Sequence, residues 1–196
     1  MNSALLVIDV QKVYTDSESE LYCEDSKGIV ERINCLIEKF RKEKAPIYLI
    51  RHMHKTDGSD LGRMFDFTGE AEEDFNFKEG SEEVEYDDRL VKHKKAVEIV
   101  KNRYSAFEGT KLDSMLKKEG SKKVVICGFM TNFCCESTAR SAHDKEYYVD
   151  FIIDATGTPG TDNFDQTMIR KYVAECMENG IARVITTKEY LRENQT

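Results

Sequence analysis

KVVICGFMTNFCCESTAR, residues Lys123–Arg140, changes character at Gly128. Before the glycine, Lys123–Cys127 is an apolar run of strand length. After it, two adjacent cysteines, Cys134 and Cys135, open a segment that reads as a helix to about Glu146. A strand that turns directly into a helix is the unit from which α/β proteins are built, so the rest of the chain can be searched for the same rhythm.

The rhythm recurs. Ser3–Asp9 (SALLVID) is apolar up to its aspartate, as suits a strand buried on both faces. Ile29–Phe40 places Ile29, Ile33, Leu36, Ile37 and Phe40 on one helical face, and Pro46 separates that helix from a second strand at Ile47–Arg51. Further strands are expected at Ala96–Lys101, Tyr148–Asp154 and Arg183–Thr186. Between them, Thr110 reads as the N-cap of a helix ending near Gly120, and Asn163–Glu178 as a helix ended by Gly180. A short C-terminal helix finishes the chain. The expectation is a single domain over residues 1–196. Its class is α/β: three layers, doubly wound, with a mostly parallel sheet of about six strands and helices on both faces. The least regular part is His52–Lys95. Its acidic run Glu70–Asp74 reads as solvated surface, and a connection so long suits a cover over a site or a subunit contact.

Composition narrows the partners. The chain is long enough for one domain with a substantial core. Its 29 Lys and Arg against 37 Asp and Glu leave a net charge of −8, which repels phosphate backbones and anionic membranes alike. Neither nucleic acid nor membrane is expected as a partner. Met1–Leu5 lacks the positive start and long apolar stretch of a signal peptide, and no apolar run has bilayer length, so the expected location is the cytoplasm. The cysteines Cys23, Cys35, Cys127, Cys134, Cys135 and Cys176 show no C-x-x-C pair and no zinc-type spacing, which predicts free thiols.

In a doubly wound sheet ligands bind beyond the carboxyl ends of the strands, near the reversal of strand order. That directs attention to Asp9, Lys101 and the turn Gly128–Cys134. A thiol in the first turn of a helix feels the positive end of the dipole, which lowers its pKa and suits a nucleophile; equally, a cysteine at such a junction can simply be buried. Cys135 lies about 100° further around the helix, so the two thiols cannot share one role. Asp9 ends an apolar strand, where a carboxylate serves either as general acid–base or as a cap for a neighbouring loop. Lys101 beside both would stabilise thiolate and carboxylate; alone it is an ordinary surface lysine.

At these residues the sequence resembles the isochorismatase-like cysteine hydrolase superfamily, in order over nearly the whole chain. LLVIDVQKVY resembles the opening strand, VKNRYSAFEGTKLD the lysine segment, VVICGFMTNFCCESTARSA the nucleophile segment and DFIIDATGT the strand that follows. The family spacing from Gly128 through Thr131 lands on Cys134, not Cys135. The resemblance implies a catalytic triad Asp9–Lys101–Cys134, a cis peptide between Phe129 and Met130, and an oxyanion hole formed by the N–H groups of Met130 and Cys134. Substrate contacts are expected from Tyr14, Arg51, His52, Phe107 and Thr131, and the resemblance further implies a homo-oligomer, dimer or tetramer. Nicotinamidases of this superfamily carry an Asp-x-His metal motif after the second strand. Here that region reads Ile50-Arg51-His52-Met53-His54, without the aspartate. His52 and His54, with Asp57 or Asp60 nearby, are therefore read as loop histidines, solvated or donating to a substrate. No metal and no cofactor is expected.

The function implied is a cysteine hydrolase cleaving a C–N bond of a small amide, ureido or carbamoyl compound through a thioester on Cys134. Two alternatives stand beside it: vinyl-ether hydrolysis of the isochorismatase type, for which Asp9 and Lys101 suffice, and a catalytically silent binding or thiol-sensing protein.

Overall fold

The structure, a computed structural model, describes residues 1–66, 68–69 and 75–193. The acidic run Glu70–Asp74 lies outside the described residues. The central strand β1 (Ser3–Ile8) is buried from Ala4 onward, as its unbroken apolar sequence requires. Around it lie β2 (Ile47–His52), β3 (Val97–Lys101), β4 (Lys123–Phe129), β5 (Tyr148–Gly157) and β6 (Arg183–Ile185). The sheet order is β3-β2-β1-β4-β5-β6, and every pairing is parallel.

Alternate residues of β1 feed two cores. Leu5 and Val7 face α2 (Ser26–Glu43), which follows the short helix α1 (Lys12–Thr15), and α6 (Thr187–Arg192), through Ile29, Ile33, Phe40 and Tyr190. Ala4, Leu6 and Ile8 face α3 (Leu112–Lys118), α4 (Glu136–Asp144) and α5 (Gln166–Glu178) through Leu112, Ala139 and Val173. This is the three-layer, doubly wound arrangement expected. Among the described residues no helix is long and apolar enough to cross a membrane.

From β1 the chain winds outward through β2 to β3, then returns to the other side of β1 as β4. The crevice between the ends of β1 and β4 is thus the reversal point at which ligands are favoured. Gly128 makes the junction possible: its φ is +123°, and a Cβ there would lie 1.9 Å from the carbonyl oxygen of Ile8. Only glycine lets the strands approach so closely.

Several element boundaries differ from the sequence reading. β5 continues past Asp154 to Gly157, because a register shift lets Thr156 and Gly157 pair with Gly128 and Phe129. α3 starts at Leu112; Thr110 stands before it, accepting the Leu112 N–H at 3.2 Å and donating to Ala106 O at 2.6 Å. The segment after β4 opens not with an α-turn but with a π-helical turn, Thr131–Cys135, before α4 begins.

Candidate active site

The side chains singled out at the three strand ends meet. Asp9 follows β1 directly, at a left-handed φ of 48° that aspartate tolerates better than most residues. Its N–H is fixed by Ile50 O at 2.9 Å. Lys101 ends β3 and reaches inward, so that its Nζ lies 2.8 Å from Asp9 Oδ2 with both side chains fully buried. The same ammonium donates to Cys134 Sγ at 3.2 Å and to Arg103 O at 3.1 Å. Among the described residues, neither carboxylate oxygen of Asp9 accepts an aligned hydrogen bond; the carboxylate is held chiefly by the charge of Lys101.

The π-helical turn positions the cysteine. Cys135 N–H reaches back to Met130 O at 3.1 Å, the wider closure of a π-turn. The Phe129–Met130 peptide leading into it is cis. Thr131 Oγ1 donates to Thr156 Oγ1 at 2.9 Å, tying the turn to the extension of β5. Cys134 faces a cavity, whereas Cys135 is fully buried in the core against α4. Their separation follows from the helical rotation between neighbours.

Burial dominates the electrostatics. It raises Asp9 above its ordinary carboxylate value although Lys101 opposes the shift. Burial alone would lower Lys101, but Asp9 and Cys134 together carry it above its ordinary value. Cys134 is pushed up to about 12 by burial, with Lys101 offsetting only part of the effect. The lowered thiol expected from a helix dipole is thus overruled. The resting Cys134 is a neutral thiol beside a charged Asp9–Lys101 pair.

Cys134 lies at one wall of a cavity of about 200 Å³, small beside the roughly 300–1,000 Å³ of pockets for drug-sized ligands. Tyr14 and His52 line it. Thr131 does not; it lies behind the turn, bonded to Thr156. Neither do Arg51 and Phe107. Strand alternation sends Arg51 to the opposite side from His52, where it pairs with Glu98 at 2.8 Å and lies over Tyr86. Phe107 stacks on Tyr147 in the core and does not line the cavity. The remaining walls include Met64, Phe65 and Phe77 from the long connection, with Tyr104 and Phe133 from the turns after β3 and β4. The connection's length suits a cover over the site or a subunit contact; the structure places part of it over the cavity, through residues that no periodicity marks. A larger hollow of about 610 Å³ lies at the opposite strand ends, where its buried carboxylate, Asp150, is already neutralised by Lys123 and Arg183.

His52 and His54 are not solvated loop residues. Both are buried, His52 as the last residue of β2 and His54 in an isolated bridge to Lys78. Their Nε2 atoms are 3.0 Å apart, and among the described residues no third ligating side chain converges with the pair. Asp57 turns outward to hold Ser59 N–H, while Asp60 stands behind His54, Oδ1 to Nδ1 3.5 Å. Donor atoms of Asp9, His52 and Cys134 do lie within 4.8 Å of one another, but the Lys101 ammonium already stands against two of them and would repel a metal cation.

Against known proteins, the Isochorismatase domain matches residues 3–189. The chain belongs to the isochorismatase family. Its relatives in this family include Nicotinamidase 3 of Arabidopsis thaliana, 33% identical over 187 residues that span 89% of this chain and 85% of that protein. Among solved structures, a cysteine hydrolase from Pseudomonas syringae pv. phaseolicola 1448A superposes with a TM-score of 0.89 at 28% identity, covering 97% of this chain and 91% of that one. N-carbamoylsarcosine amidase from Thermoplasma acidophilum shares the fold, with a TM-score of 0.75 at 23% identity over 95% of this chain and 97% of that one. The isochorismatase family is a hydrolase family, and amidases stand among its members.

Proposed function

We propose that this protein is a cysteine hydrolase that cleaves the C–N bond of a small amide, ureido or carbamoyl compound. The observation that carries the reading is the contact of Asp9, Lys101 and Cys134 at the wall of a small, largely apolar cavity. Because Cys134 rests as a thiol, its proton passes to Asp9 as sulfur attacks the carbonyl carbon, rather than being lost beforehand. The oxyanion of the tetrahedral intermediate is received by the N–H groups of Met130 and Cys134. Collapse breaks the C–N bond, and Asp9 returns the proton to the departing amine or ammonia. Water then attacks the thioester, giving a proton to Asp9, and expulsion of sulfur with return of that proton restores the thiol. Lys101 keeps Asp9 charged between steps. The protein is further proposed to act in the cytoplasm as a homo-oligomer, dimer or tetramer.

A panel of small primary amides, ureides and carbamoyl compounds tests this. Turnover of at least one class is expected, with a thioester adduct on Cys134 trapped by rapid acid quench and mass spectrometry, and with loss of at least ~10³-fold in kcat for Cys134→Ala. Turnover that survives Cys134→Ala, or hydrolysis of isochorismate in its place, would overturn the mechanism.

A further inference from the structure

The long connection carries an ordered chain of polar groups that ends at the cavity. His52 is clamped by Gln11, whose Oε1 accepts the His52 N–H at 2.8 Å while its Nε2 donates to His52 O at 2.9 Å. The imidazole lies flat on Phe77, ring centres 4.5 Å apart. One ring nitrogen lies within 4.8 Å of both Cys134 Sγ and an Asp9 oxygen. Behind it come His54, Nε2 to Nε2 at 3.0 Å, and then Asp60, Oδ1 to His54 Nδ1 at 3.5 Å. Asp60 is itself fixed by Lys55 N–H at 3.0 Å, by Asn102 Nδ2 at 3.3 Å, and through its carbonyl by Arg103 at 2.9 Å. The same loop that follows Lys101 thus anchors the far end of the chain.

This order fixes the protons. Among the described residues His54 Nδ1 makes no aligned hydrogen bond, but the Asp60 carboxylate stands 3.5 Å from it and would repel a ring lone pair, so the proton of His54 is favoured on Nδ1. Burial and the cations Lys101 and Arg103 keep both rings neutral, Asp60 only partly opposing this at His54. A neutral His54 then has a bare Nε2, and the contact between the rings requires His52 to donate from its own Nε2. His52 Nδ1 is left as a lone pair.

We infer that His52 is a specificity residue that offers the cavity a hydrogen-bond acceptor, with its tautomer set by His54 and Asp60 as positioning residues. This role replaces the one read from sequence, solvated or donating to the substrate. Resting on the amidohydrolase reading, it narrows the substrate to compounds with an N–H on the reacting or neighbouring nitrogen: primary or monosubstituted amides and ureides, not tertiary amides or esters. A bare acceptor left unpaired beside a buried substrate costs about 10- to 100-fold.

The test has two arms. Histidine uniformly labelled with ¹⁵N is read by NMR in the full chain with His93 and His143 replaced by Gln to remove their signals. His52 is expected as the Nε2–H form and His54 as the Nδ1–H form, both unchanged from pH 6.5 to 8.5. Asp60→Asn, which removes the charge, is expected to release this preference. Reversed tautomers overturn the inference, and so do two Nδ1–H rings, the pattern of a metal ion held between both Nε2 atoms. In the second arm, primary carboxamides are compared with their N,N-dimethyl and methyl-ester counterparts. The primary amides are expected to be favoured 10-fold or more in kcat/KM, and the preference to shrink in Asp60→Asn, chiefly through KM. Equal rates for all three overturn the acceptor role. No turnover of any compound overturns the amidohydrolase reading instead, while the tautomers are decided by NMR alone.

Discussion

Cys134 illustrates how far a single residue's chemistry depends on its surroundings. Its position after a strand end suggests the positive end of a helix dipole and a lowered pKa, but the side chain is 2% exposed and its pKa is pushed up to about 12. A buried thiolate lacks the water that would solvate it, and one ammonium shared with Asp9 does not replace that water. The sign of the pH effect follows. Below pH 12 the thiol form dominates, so the thiolate fraction rises about tenfold per pH unit through the neutral and mildly alkaline range. Alkylation of Cys134 by iodoacetamide, followed by mass spectrometry with the exposed Cys35 as internal comparison, is expected to rise steadily from pH 7 to 10 without a plateau. A plateau below pH 8 would mean a preformed thiolate–lysine pair. Cys135, one residue on, is fully buried in the core, so only Cys134 of the two has a route to a substrate.

At the scale of elements, the site depends on two strands meeting closely and on a turn of unusual width. Gly128 sets the first: its φ of +123° and the 1.9 Å that would separate a Cβ from Ile8 O leave no room for a side chain. Gly128→Ala is expected to push β4 away from β1 and to cost about 4 kcal/mol or more, read as a shifted urea midpoint or as failure to accumulate folded protein. A loss under about 1 kcal/mol would mean that the β1–β4 junction relaxes freely. The π-helical turn sets the second, carrying Cys134 towards Lys101 while Thr131, bonded to Thr156, holds the turn to β5. Alternation along β2 decides which of its neighbouring residues reaches the cavity. His52 does, and Arg51, one residue earlier, is sent to the other side.

For the whole molecule, the cavity occupies the reversal point of the sheet, and the long connection supplies its roof through Met64, Phe65 and Phe77. Beside the opening, Phe133 and Tyr104 pack together yet remain partly exposed, and α5, which packs against the π-helical turn, carries exposed Phe164 before it and exposed Met168 and Tyr172 along it. The proposed homo-oligomer would cover such a face. Size-exclusion chromatography with light scattering is expected to give a dimer or tetramer for the wild type and a smaller species for Met168→Glu/Tyr172→Glu. A monomeric wild type at micromolar concentration would remove the oligomer from the reading.

The sequence by itself determined the strand–helix alternation, the parallel sheet and the strand ends at which chemistry is placed. Those features follow from local periodicity: uninterrupted apolar strands such as Leu5–Ile8 must be covered on both faces, whatever else the chain does. The resemblance to the family's spacing from Gly128 through Thr131 pointed to Cys134 over Cys135. Only the tertiary structure decided which aromatic residues wall the cavity, why Arg51 and Phe107 do not, and that His52 and His54 are buried in a chain ending at Asp60. These depend on contacts between residues far apart in sequence, and on burial, which no local pattern records. Burial turned a thiol expected to be acidic into a neutral one, and histidines read as solvated or donating to a substrate into an ordered pair near the Cys134 sulfur.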